Sequence, residues 1–123
     1  MKGWMSASAV LAGLAVVLGA FGAHGLRAYA DVAGIEAFKT GAHYHLIHAV
    51  AMLCLCGMTD RVGERAIRQV LVLFAIGVLL FSGSLYLLAV VSLGPLGIVT
   101  PIGGLFFIAG WFRLAAASYP LKR

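Results

Sequence analysis

The sequence predicts an all-α fold: one domain of four membrane-spanning helices in an antiparallel bundle, with both termini cytoplasmic. Three observations carry this. Hydrophobic residues make up 63% of the 123-residue chain and charged residues only 11%, whereas a soluble domain carries about 45–50% and about 25%. The few charges cluster and leave long uncharged runs between them. Most Lys and Arg then fall on one side of the resulting topology. So few polar residues cannot cover the surface of a small soluble globule. The composition also excludes a disordered chain and a collagen-like repeat.

The first span is read at about 4–26, a run with no formal charge when His24 is neutral. Its apolar stretch exceeds the roughly 7–15 residues of a signal-peptide core, so it reads as a span and not a cleaved leader. An outer loop follows at 27–39. Within it Val32, Ile35, Ala37 and Phe38 alternate with Asp31, Glu36 and Lys39 as in a short amphipathic helix. Asp31 is the expected N-cap, and the segment either lies at the interface or lengthens span two outward. Span two is read at about 40–59 and a short cytoplasmic loop at 60–68, which makes spans two and three antiparallel neighbours. The uncharged stretch 69–112 is long enough for two spans. Turn chemistry at Gly94 and Pro95 divides it into spans at about 69–93 and 99–119, with Pro95 and Pro101 flanking the turn.

Orientation follows from the basic residues. Lys2, Arg61, Arg65, Arg68, Arg113, Lys122 and Arg123 fall on one side, and Arg27 and Lys39 on the other beside Asp31 and Glu36. Cytoplasmic loops concentrate Lys and Arg, so the chain is expected N-in and C-in. The net charge of +5 is thus an orientation signal, and no nucleic-acid partner is expected. The lipid bilayer is the expected partner, with Arg61, Arg65 and Arg68 forming a lipid-facing basic loop. Cys54 and Cys56, two apart on a helix, point to different faces and read as small thiols without a disulfide or copper site.

Helices in lipid associate through close packing of small residues. Ala9, Ala12, Gly13, Ala15, Gly19 and Ala23 in span one, Ser82, Gly83 and Ser84 in span three, and Gly103, Gly104 and Gly110 in span four supply such residues. They are expected to pack the bundle, and some of these faces to form a homo-oligomer or to dock on a larger membrane complex.

Polar groups at membrane depth are expensive and usually have a role. Counting along the spans gathers His24, His45, His48, Ser82, Tyr86 and Thr100 into one layer in the outer third of the bundle. His45, His48 and Met52 share a helical stripe, as do Gly13, Val17, Ala20 and His24. His43 points elsewhere. The layer is read first as structural hydrogen bonding. No cofactor is required by this reading. A haem or transition metal held by one histidine from each of spans one and two is the alternative. Against it, no carboxylate lies within the spans, and neither Cys-x-x-Cys-His nor His-Glu-x-x-His occurs. No catalytic set is picked out.

The runs Gly19-Ala-Phe-Gly-Ala-His24, Thr40-Gly-Ala-His-Tyr44 with His48, Leu80-Phe-Ser-Gly-Ser-Leu-Tyr86, Thr100-Pro-Ile-Gly-Gly104 and Gly110-Trp111 resemble the family known as domain of unknown function 423. These are uncharacterised small bacterial inner-membrane proteins. The resemblance covers nearly the whole chain and implies four spans and a plasma-membrane location, but no reaction. It ranks His24, His48, Ser82, Ser84, Tyr86, Thr100 and Pro101 as matching positions. His45 falls where the pattern is open, so a metal site needing His24, His45 and His48 together is disfavoured, while a His24/His48 pair is not.

Three functions fit the sequence. The first is a non-enzymatic accessory or assembly component of a membrane complex. The second is a haem- or metal-binding redox protein using His24 and His48. The third is a small proton or solute transporter, against which no internal repeat and no broken span stand.

Overall fold

The computed structural model describes residues 1–91 and 94–120. Leu93, the expected end of span three, and Lys122 and Arg123 of the orientation count lie outside the described residues. Every regular element among the described residues is helical. Helix α1 (Lys2–His24) leads through a 3-10 turn (Leu26–Ala28) to α2 (Val32–Cys56). The short α3 (Thr59–Val62) and α4 (Glu64–Gly77) follow. A π turn (Val78–Ser82) joins α4 to α5 (Gly83–Val90), and α6 (Leu96–Ser118) ends the described chain.

Three segments are long and apolar enough to cross a membrane: Lys2–His24, Glu64–Val90 and Leu96–Ser118. Helix α2 matches them in length with 25 residues, but His43, His45 and His48 lower its hydropathy. It is far more enclosed than α1 or α6, with ten buried residues against three in each. Two of its polar residues, His45 and His48, are carried inside the protein, while Glu36, Lys39, Thr40 and His43 are exposed. One row of α2, Gly34, Gly41, His48 and Leu55, repeats every seventh residue and turns to α4–α5 and α6. Ser8, Ala15 and Gly22 of α1, also seven apart, are the buried contacts of α1 against α2. A seven-residue repeat is the seam of helices crossing at a small angle.

Asp31 caps α2 as expected, its carboxylate accepting from the Gly34 N–H at 2.8 Å. The helix therefore begins at Val32, and the short helix expected within the outer segment 27–39 runs on without a break into span two. Likewise most of the expected loop 60–68 is helical, broken only at Gly63. The φ of 99° there is open to glycine and strained for any L side chain. Pro101 lies within the second turn of α6 and not beside its start. So near the N-terminus the ring removes a single hydrogen bond, the one to the Gly97 carbonyl.

Helices α4–α5 and α6 run antiparallel along a seam of paired positions: Gln69 with Arg113, Phe74 with Gly110, Gly77 with Phe107, Phe81 with Gly103, and Ser84 with Thr100. The aromatic–glycine pairs are reciprocal. The Phe74 ring covers the bare backbone at Gly110, and the Phe107 ring covers that at Gly77. At Gly103 the two backbones approach so closely that a Cβ would strike the Phe81 main chain. This geometry predicts that Gly103→Ala is destabilised by about 1–3 kcal/mol, because backbone cannot step aside as a side chain can. Gly13→Ala, whose Cβ meets nothing within 4 Å, is expected to melt like the parent chain in detergent.

Candidate functional site

The buried polar groups lie where α2 meets this seam. One apolar cluster, including Met52, Leu55, Val70, Phe74 and Phe107, fills the end of the bundle that holds Met1 and the α2–α4 connection. A smaller one of Leu26, Phe38 and Ala89 fills the opposite end. His45 and His48 sit on α2 between them, 4% and 3% exposed.

His48 has both ring nitrogens occupied. Its Nδ1 is 2.7 Å from the Tyr44 carbonyl one turn earlier. The indole Nε1–H of Trp111 donates to its Nε2 at 3.0 Å. A carbonyl only accepts and an indole only donates, so the partners fix the neutral Nδ1–H tautomer. The ring stacks on Phe107 at 3.7 Å between centroids and meets the edge of Phe74 at 5.0 Å. These are the two rings that interlock over Gly77 and Gly110. His48 is in this way a wedge of α2 driven into the α4–α6 seam.

His45 lies toward α1 and α5. Its Nδ1 is 2.8 Å from the Tyr86 hydroxyl, and Tyr86 leans on Phe38 at 4.7 Å between centroids. The other nitrogen, Nε2, is buried with no hydrogen-bond partner among the described residues. Ser82 is fully buried and its hydroxyl has no partner among the described residues. Ser84 Oγ bonds the Phe81 carbonyl at 2.9 Å and Thr100 Oγ1 at 2.5 Å, which ties α5 to α6.

The expected polar layer is therefore brought together in part. His45 joins Tyr86, and Thr100 joins Ser84. His48 belongs to a separate group with Trp111, and His24 to none. His24 is exposed on the last turn of α1, sharing an outward face with Gly13, Val17 and Ala20. His48 stacks on Phe107 midway along α6. His43 is exposed, as expected. Arg61 and Arg65 are exposed, and Arg68 holds Glu64 at 2.7 Å. Tyr44, Phe74, Phe107 and Trp111 were not singled out as site residues. Trp111 carried the one usable signal, since it lies too deep for an interfacial aromatic.

Residues 18–104 match the family described as "Protein of unknown function (DUF423)". The chain is 38% identical over 119 residues to the UPF0382 membrane protein YwdK of Bacillus subtilis, covering 96% of this chain and 97% of that one. It is 39% identical over 107 residues to a UPF0382 membrane protein of Haemophilus influenzae, covering 87% and 86%. It is 39% identical over 108 residues to the UPF0382 inner membrane protein YgdD of Escherichia coli K12, covering 88% and 82%. No solved structure matches it.

Two outcomes follow from the hydrogen bonds. Nitrogen NMR of histidine-labelled protein should show His48 with its proton on Nδ1; a proton on Nε2 would exclude the Trp111 bond. Tyr86→Phe should cost about 1 kcal/mol in thermal or denaturant unfolding, the ordinary worth of one buried hydrogen bond.

Proposed function

The chain belongs to the DUF423 family, membrane proteins of unknown function, and from that premise we propose that it is a non-enzymatic accessory component of a larger membrane assembly. It crosses the bacterial inner membrane four times, with both termini in the cytoplasm. Helix α2 is the fourth span: its 25 residues reach about 37 Å, enough for a hydrocarbon core of about 30 Å. The orientation rests on Lys2, Arg61, Arg65, Arg68 and Arg113 sharing one end of an antiparallel bundle.

The observation that carries the functional reading is the face of α1 turned away from the protein. Among the other long helices, α1 packs extensively on α2 alone. Its outward side exposes Ala9, Gly13 and Ala20, and a side chain at Gly13 or Gly19 would meet nothing. A helix that only faced lipid gains nothing from small residues, whereas close approach of a second helix requires them. The interior supports the same reading, because its polar groups bond largely to one another. A haem or metal on His24 and His48 would have to take an imidazole nitrogen from Trp111 or from the Tyr44 carbonyl, and His24 lies on the outward face. The proton or solute transporter reading lacks a polar path between the helices.

Cross-linking in native membranes tests this. In a Cys54→Ser/Cys56→Ser background, Gly13→Cys and Ala20→Cys should each yield one discrete heterologous product, and Leu105→Cys on α6 none. Gly13→Leu should abolish that product without lowering the melting temperature. A product of twice the chain mass alone, or none, would contradict the reading. Impermeant thiol reagents should leave cysteines added at either terminus unlabelled in intact cells; labelling of one terminus overturns the four-span orientation.

A further inference from the structure

At the basic end of the bundle, the surface of the α4–α6 seam opens into a groove of about 540 Å³ lined by Arg68, Gln69, Val72, Leu73 and Arg113. Arg113 is half-buried, and its Nε–H donates to Gln69 Oε1 at 2.8 Å. This neutral partner takes one of five N–H donors and none of the charge. No carboxylate among the described residues lies within ion-pair distance of Arg113; the ion pairs are Lys39 with Glu36 and Arg68 with Glu64. The Arg68 guanidinium directs Nε and Nη2 to the same Glu64 oxygen, and its side chain stays half exposed. The groove thus holds one uncompensated guanidinium, a second that is partly free, and two aliphatic walls.

Leu73 also lines a second, smaller groove with Leu105, Phe106 and Ala109. The two adjoin at Leu73, which both share. Leu105 stands eight residues from Arg113, so the apolar strip runs about 12 Å from the guanidinium toward the middle of the bundle. A cation at the membrane boundary joined to an apolar strip of that length has the outline of a lipid, with phosphate at one end and hydrocarbon at the other. We infer that this seam is a binding site for an anionic phospholipid. Arg113, oriented by Gln69, grips the phosphodiester, Arg68 adds a second cation, and an acyl chain lies along Leu73, Leu105, Phe106 and Ala109. Guanidinium groups bind phosphate oxygens in bidentate fashion, which makes Arg113 more than a snorkelling charge. A free phosphate would satisfy the arginines and leave the strip uncovered; a zwitterionic lipid would bring its own cation against them. The site is independent of the α1 docking face.

Native mass spectrometry of the full chain in detergent, with phosphatidylglycerol, phosphatidylcholine or inorganic phosphate added, tests it. One phosphatidylglycerol should be retained in preference to phosphatidylcholine. Arg113→Gln should weaken its binding about tenfold, the loss of one charge-assisted pair. Arg61→Gln, on the exposed connection, should change it less than about twofold, the share of a screened surface charge. Equal retention of both lipids, or equal losses in Arg113→Gln and Arg61→Gln, would reduce the site to diffuse surface charge and overturn it. Displacement of phosphatidylglycerol by an equal concentration of inorganic phosphate would overturn it in favour of an anion site. Should Arg113→Gln alter folding, Ala109→Phe fills the strip with both arginines in place; it should release the lipid, and unchanged binding would refute the acyl-chain path.

Discussion

An imidazole in the interior of an apolar helix bundle is costly unless its nitrogens are hydrogen-bonded, and at His48 both are, by groups from two helices. The Tyr44 carbonyl takes the Nδ1 proton from within α2, and the Trp111 indole of α6 fills Nε2. Both bonds depend on Phe74 and Phe107 holding the ring at the seam. Those rings in turn need the bare backbone at Gly110 and Gly77. One helix of low hydropathy is thereby fixed against two helices of high hydropathy. The aromatic–glycine pairs set the register of α4 on α6, and the position of α2 against them, with His45 beside Tyr86, follows from the His48 lock.

The charge gaps made the helical class legible, because a charge inside a span is costly and the charges here sit near helix ends. Asp31 was legible as a cap, and the inward stripe of His45, His48 and Met52 was legible from helical spacing. Whether the helix capped by Asp31 ran on into span two was not, and it does. Glu36 and Lys39 end the uncharged run, but a helix does not stop at its first charge. The π turn at Val78–Ser82 leaves no mark in residue type, since Val, Leu, Phe and Ser suit an α-helix equally.

Spacing also shows which residues share a face but not which way the face turns. Gly13, Val17, Ala20 and His24 do lie on one side of α1, yet that side faces outward, while Ser8, Ala15 and Gly22 face α2. Both rows are rich in small residues, so composition could not rank them. Apart from Tyr44, the partners of His48 were hidden because they come from positions 26 and more residues away, on helices whose relative rotation is set by the aromatic–glycine pairs. A sequence read helix by helix carries no information on that rotation. The result is an interior whose polar groups join the helices to one another.

The central claim is that His48 and Trp111 act as one unit in joining α2 to α6. A double-mutant cycle measures this directly: His48→Phe, Trp111→Phe and the double variant, each unfolded reversibly in detergent micelles. The account predicts that the single changes destabilise and that the double change costs less than their sum, by a coupling of about 1 kcal/mol. Strictly additive losses would contradict it, since the two side chains would then stabilise the protein independently.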